Sequence, residues 1–182
     1  MKVYMVRHTS VDVPPGVAYG QTDVNVRDTF EMEAQAVKEK LAHIPFVKVW
    51  CSPLSRCVRL AEYCGFPDAL RDDRLKEHHF GEWEMRSYDD LLATDPRYID
   101  WCANWLDYRI PGGESFAGLC RRVAGFLDEI RRETADGYGN VAVFAHAGVI
   151  AAFYVYAGKY TMEEAFNHPV GYGEVVTLSF SS

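Results

Sequence analysis

The sequence predicts an α/β protein, a three-layer α/β/α stack around a mostly parallel sheet. Three observations predict it. Apolar runs rich in Val, Phe and Tyr recur along the chain, and three of them are nearly continuous, as strands covered on both faces read. Segments with apolar residues at helical spacing stand between them. Alternation of strand and helix is the pattern of parallel strands joined by crossover helices.

The strands are expected at Lys2–Val6, Val47–Cys51, Asn140–Ala145 and Glu174–Phe180. Between the first two, Phe30, Ala34, Val37 and Leu41 share one helical face. A second helix is expected from Leu54 to Cys64, closed by Gly65 and Pro67. Phe116, Leu119, Cys120, Val123, Phe126, Leu127 and Ile130 make the strongest apolar stripe, with Ser115 placed to cap it. A further helix is expected after Gly148. The stretch Arg74 to Gly113 breaks the alternation with Trp83, Tyr88, Tyr98, Trp101, Trp105 and Tyr108 mixed with acids. It reads as an excursion capping one end of the sheet, and its aromatics serve either a pocket or a satellite core under a long connection.

The 182 residues, 48% hydrophobic, suit one domain over 1–182 with a real core. No apolar stretch is long enough to span a bilayer. The start, Met1-Lys2-Val3-Tyr4, runs into strand without a signal-peptide pattern, so the cytoplasm is the expected location. A net charge of −7 argues against nucleic acid as a partner, because that needs a basic footprint. The five cysteines, Cys51, Cys57, Cys64, Cys102 and Cys120, form no CxxC pair and are expected as reduced thiols.

Polar groups follow three of the strands directly. Arg7 and His8 follow the first, Ser52, Pro53 and Arg56 the second, and His146 the third. In a parallel sheet these are the carboxyl ends, where ligands bind. Two arginines and two histidines converging there make an anion pocket, since guanidinium matches phosphate oxygens two at a time. Arg56 falls in the first turns of the second helix, where backbone N–H groups add positive potential.

Arg7-His8-Thr9, Cys51-Ser52-Pro53-Leu54-Ser55-Arg56 and Ala145-His146-Ala147-Gly148, in that order, resemble the signature pieces of the histidine phosphatase superfamily, which includes cofactor-dependent phosphoglycerate mutase. Arg74-Leu75-Lys76-Glu77 with Phe80-Gly81-Glu82-Trp83-Glu84 resembles its acid-bearing segment, and Pro111-Gly112-Gly113-Glu114-Ser115 also fits. Tyr19-Gly20-Gln21-Thr22-Asp23 looks more narrowly like α-ribazole-5′-phosphate phosphatases of cobalamin biosynthesis, and the insertions usual in mutases are missing. One departure stands out. Many members read Arg-His-Gly-Glu-Thr with an Asn a few residues later. Here Thr9-Ser10 follow the pair and the loop holds Pro14-Pro15, so that Asn's phosphate contact does not transfer; nearby backbone or Gln21 is the candidate replacement.

The resemblance implies hydrolysis of a small phosphomonoester, α-ribazole 5′-phosphate, through phosphohistidine at His8. Arg7, Arg56 and His146 would hold the nonbridging oxygens, and Glu77 would protonate the leaving oxygen, with Glu82 and Glu84 as competitors. Such an acid must hold its proton near neutral pH, through burial or the substrate's charge. Phosphoglycerate mutase, a broad sugar-phosphate phosphatase and a non-catalytic phosphate-binding module are the alternatives. No cofactor and no metal are expected: His78-His79 with Glu82 show no metal-ligand spacing. A homodimer is compatible with the sequence.

Overall fold

The computed structural model describes residues 1–133 and 139–180. In chain order its elements are β1 (Lys2–Arg7), α1 (Phe30–Leu41), β2 (Phe46–Cys51), α2 (Ser55–Tyr63), β3 (Leu70–Arg71), α3 (Tyr88–Thr94), α4 (Pro96–Ala103), α5 (Phe116–Glu133), β4 (Asn140–Ala145), α6 (Ala147–Tyr156) and β5 (Val175–Ser179). Among the described residues they form one sheet in the order β3-β2-β4-β1-β5. All neighbours run parallel except β5, which pairs antiparallel with β1 at one edge. The four expected strands are present within two residues of their predicted ends. The two-residue β3 was not expected; it is too short to carry a pattern.

Side chains alternate across the sheet. Val3, Met5, Val141 and Val143 face α5 and α6 in one apolar layer, while Val6, Ala142 and Phe144 face α1 and α2 in the other. The stripe read from the sequence is the buried face of α5, and Ser115 caps that helix by accepting from the Gly118 N–H at 3.1 Å. All five cysteines are unpaired thiols, four of them buried and Cys102 exposed. No helix of the described residues is long and apolar enough to cross a membrane.

The excursion after Arg74 folds into short 3₁₀ turns followed by α3 and α4. Ser87 caps α3, and Asp95 caps α4 with Pro96 at its first position, where the missing N–H costs nothing. Trp83, Leu91 and Ile110 form a separate small core, with Tyr98, Trp101 and Tyr108 against it. Trp83 is 1% exposed, and its Nε1–H donates to Asp95 at 2.9 Å. Several of the aromatics therefore hold the excursion together, as a satellite core would.

Candidate active site at the strand ends

Register explains why distant residues meet. Arg7 pairs with Ala145, and Cys51 with Phe144. The ladder then continues one residue past each strand, His8 N–H donating to Ala145 O at 3.2 Å and Ser52 N–H to Phe144 O at 2.9 Å. His8, Ser52 and His146 thus leave neighbouring strands side by side, and the two imidazole centres lie 5.1 Å apart.

Arg56, in the first turn of α2, is 0% exposed. It donates to the carbonyls of Thr22, at 3.0 Å, and Gly20, and through Nε to His146 Nδ1 at 3.3 Å. Arg7 donates to the Val170 carbonyl and lies over Tyr172, 4.0 Å from the ring centre. Its Nε is buried without a partner. Among the described residues neither arginine forms an ion pair with a carboxylate. Leaving buried guanidinium charge without a counter-ion costs several kcal/mol, which an incoming anion offsets.

Both histidines are neutral bases in this setting. His8 donates Nδ1–H to its neighbour's carbonyl, Thr9 O, at 2.7 Å. That fixes the tautomer and leaves Nε2 with a free lone pair. Burial, with Arg56 and Arg7 adding repulsion against the Thr9 bond, lowers its pKa from 6.5 to about 3. Burial and Arg56 likewise hold His146 well below its ordinary value. With Nδ1 accepting from Arg56, His146 carries its proton on Nε2, 2.8 Å from Ser52 Oγ.

Glu77 stands across from these groups. Both its oxygens accept from the Gly148 N–H at the start of α6, at 3.1 and 3.2 Å. A Cβ at Gly148 would collide with the carboxylate, so glycine permits this approach. Arg122 anchors the segment by donating to the Glu77 carbonyl at 2.9 Å while paired with Glu114. The two competing acids face elsewhere. Glu82 is exposed and pairs with Arg97 at 3.0 Å. Glu84 accepts from the N–H groups of Gly20, Gln21 and Phe80 and from the Thr22 hydroxyl, tying the 20–22 loop down. Gln21 directs its amide to the Glu77 carbonyl at 3.2 Å. His78, His79 and Glu82 do not converge: the rings meet the Glu114 carbonyl and the Gly81 N–H respectively.

From Arg7 and Glu77 a cavity of about 570 Å³ opens toward the excursion. Tyr19, Phe80, Tyr88, Trp101, Trp105, Phe116 and Phe166 supply its aromatic walls. Residues of the excursion thus line a cavity shared with Arg7 and Gly148, besides forming their own small core.

A model of the histidine phosphatase superfamily, branch 1, matches residues 3–182. The chain belongs to the histidine phosphatase superfamily. It is 30% identical over 157 residues to the adenosylcobalamin/α-ribazole phosphatase of Escherichia coli K12, covering 83% of this chain and 76% of that one. Phosphoserine phosphatase 1 of Hydrogenobacter thermophilus is 25% identical over 160 residues, 85% of this chain and 74% of the relative. The crystal structure of the α-ribazole phosphatase from Shigella flexneri superposes with a TM-score of 0.87 at 25% identity, covering all of this chain and 91% of that one. The chain is a phosphatase of this superfamily.

The buried imidazoles give this histidine phosphatase a defined acid sensitivity. His8, His146 and His78 all sit below 6.5, each chiefly through burial. A ring that resists protonation only when folded leaves the unfolded chain binding more protons. Stability is then retained above 6.5 and lost as pH falls from 6.5 toward 3. His8 alone should cost about 2 kcal/mol between pH 7 and pH 5. Thermal melting in phosphate-free buffer should show a larger loss over that interval for the wild type than for His8→Asn; equal losses would contradict the burial argument.

The phosphatase also holds residues that sequence reasoning did not single out. Phe166, Glu163 and Asn167 reach the cavity from the connection after α6, and Tyr172 reaches Arg7 from the turn before β5. None belongs to a motif, and no periodicity marks the segment.

Proposed function

We propose that this phosphatase hydrolyses α-ribazole 5′-phosphate to α-ribazole and phosphate, without a metal, through phosphohistidine at His8. The chain acts as a single domain with the excursion over 74–113 as its cap. The observation that carries the chemistry is the convergence of Arg56 and Arg7, which form no ion pair with a carboxylate among the described residues, on two neutral imidazoles, with Glu77 lining the same cavity as Arg7.

In this reading His8 Nε2 attacks phosphorus as the P–O(ester) bond breaks, while Thr9 O holds the Nδ1 proton. Arg7 and Arg56 neutralise the nonbridging oxygens as charge shifts. His146 joins them when its Nε2–H turns from Ser52 to a phosphoryl oxygen. Glu77 delivers a proton to the departing ribosyl oxygen. Glu77, now a carboxylate, then takes a proton from the water that attacks the phosphoenzyme. Water's oxygen forms the new P–O bond, and His8 leaves neutral.

The cavity supports this leaving group. A volume of about 570 Å³ lies within the roughly 300–1,000 Å³ usual for small-molecule sites. Its aromatic walls suit a planar heteroaromatic base. Stacking of a base on aromatic side chains contributes about 1–3 kcal/mol. Accordingly kcat/KM for α-ribazole 5′-phosphate should exceed that for phosphoserine, 3-phosphoglycerate and ribose 5-phosphate by about 10- to 100-fold. EDTA should leave the rate unchanged, and free phosphate rather than an isomerised phosphoglycerate should accumulate. A flat panel would remove the substrate assignment, and activity lost in EDTA and restored by a divalent ion would remove the metal-free scheme.

A further inference from the structure

Tyr19 and Tyr172 come from opposite ends of the chain, yet their hydroxyls lie 2.8 Å apart. Their rings stand beside the two arginines and His8. Tyr172 lies 4.0 Å from the Arg7 guanidinium and 5.6 Å, centre to centre, from the His8 ring, and Tyr19 lies 5.5 Å from the Arg56 guanidinium. Both supporting segments are fixed. Gly173 N–H donates to His8 O at 3.1 Å, and Lys40 Nζ to Gly173 O at 3.1 Å. On the other side Glu84 holds the backbone N–H groups of Gly20 and Gln21 at 2.9 and 2.8 Å. Tyr19 also lines the cavity together with Arg7 and Glu77.

The phosphoryl site is rich in cations but lacks the neutral donor that an Asn supplies in members with the Arg-His-Gly-Glu-Thr pattern. Two nearby polar side chains have other partners, the Gln21 amide at the Glu77 carbonyl and the Ser52 hydroxyl at His146, while the Thr9 hydroxyl is buried without a partner and is the competing donor. We propose that the Tyr19 hydroxyl is the missing donor to a phosphoryl oxygen, and that Tyr172 is its positioning residue. The inference rests on the phosphatase reading, and on no particular leaving group.

Without a ligand the two hydroxyls satisfy each other. When a phosphoryl group enters between the arginines, the Tyr19 O–H turns to one of its oxygens, and the Tyr19 oxygen accepts from the Tyr172 O–H. Both groups stay hydrogen-bonded throughout the exchange. Burial and the bond to Tyr172 push the Tyr19 phenol above its ordinary value, which keeps it a donor at neutral pH.

The test measures inorganic phosphate binding, by calorimetry and as competitive inhibition of p-nitrophenyl phosphate hydrolysis, in wild type, Tyr19→Phe, Tyr172→Phe and the double variant. Tyr19→Phe should weaken phosphate about tenfold, the scale of a hydrogen bond to a charged group. Tyr172→Phe keeps its ring over Arg7 and should lose about threefold. The double variant should match Tyr19→Phe, because the Tyr172 hydroxyl acts through Tyr19. Melting temperatures near wild type would show that the losses are not unfolding. Wild-type affinity in Tyr19→Phe, or losses that multiply in the double variant, would overturn the proposal. Calorimetry reads phosphate itself, so a failed substrate assignment shows in the ester panel while these affinities stand.

Discussion

Replacing His8 by asparagine is expected to lower kcat/KM by about 10⁴–10⁶-fold, the scale seen when a covalent nucleophile is removed, with the fold retained. Asparagine can still donate to Thr9 O, the bond that orients the ring at 2.7 Å. It lacks the Nε2 lone pair. A thiol also stands near the site, that of Cys57, 3.5 Å from His146 Nε2. That thiol is fully buried and burial pushes its pKa well above 9.0, so it stays protonated and cannot substitute. The arginines would still bind phosphate, so inorganic phosphate should bind His8→Asn within about threefold of wild type. Near-normal turnover in this variant would remove His8 as the nucleophile.

Glu77→Gln should produce the second largest effect, and a selective one. Hydrolysis of α-ribazole 5′-phosphate or another alkyl ester should slow by about 10²–10⁴-fold, the usual contribution of a positioned acid. Hydrolysis of p-nitrophenyl phosphate should fall by less than about tenfold, because nitrophenolate departs without a proton. The amide retains the shape of the acid, and its oxygen can still accept from the Gly148 N–H now 3.1 Å from Glu77. Single-turnover rates are the cleaner measure, since product release can hide the chemical step. Equal losses on both esters would assign Glu77 an electrostatic or structural role instead.

The parts of this molecule that were legible in its sequence are those written in periodicity and in strand-end placement. β1 and β4 announce themselves as apolar runs because both faces are covered, and α5 does so because one face is. Arg7, His8, Arg56 and His146 follow from a rule about where parallel strands end. The antiparallel direction of β5 was not legible, since an edge strand of five residues reads the same either way. Neither was the fate of Glu84, whose carboxylate reaches back to the 20–22 loop through a long-range contact. Gln21 was singled out for the phosphate by its neighbourhood in the chain, but its amide turns to the Glu77 carbonyl. Tyr172 was invisible for a related reason: its position over Arg7 depends on the turn at Gly171–Gly173 being tied to β1, and turns of this kind carry no repeating pattern.

The most direct test of the central claim is a rapid-quench experiment on the wild-type protein with substrate labelled at phosphorus. The account predicts that label enters the protein within the first turnover, in a form stable to base and labile to acid, and that peptide mapping places it on His8. Single turnovers that release phosphate with no labelled protein at any time, or label found on another residue, would contradict it.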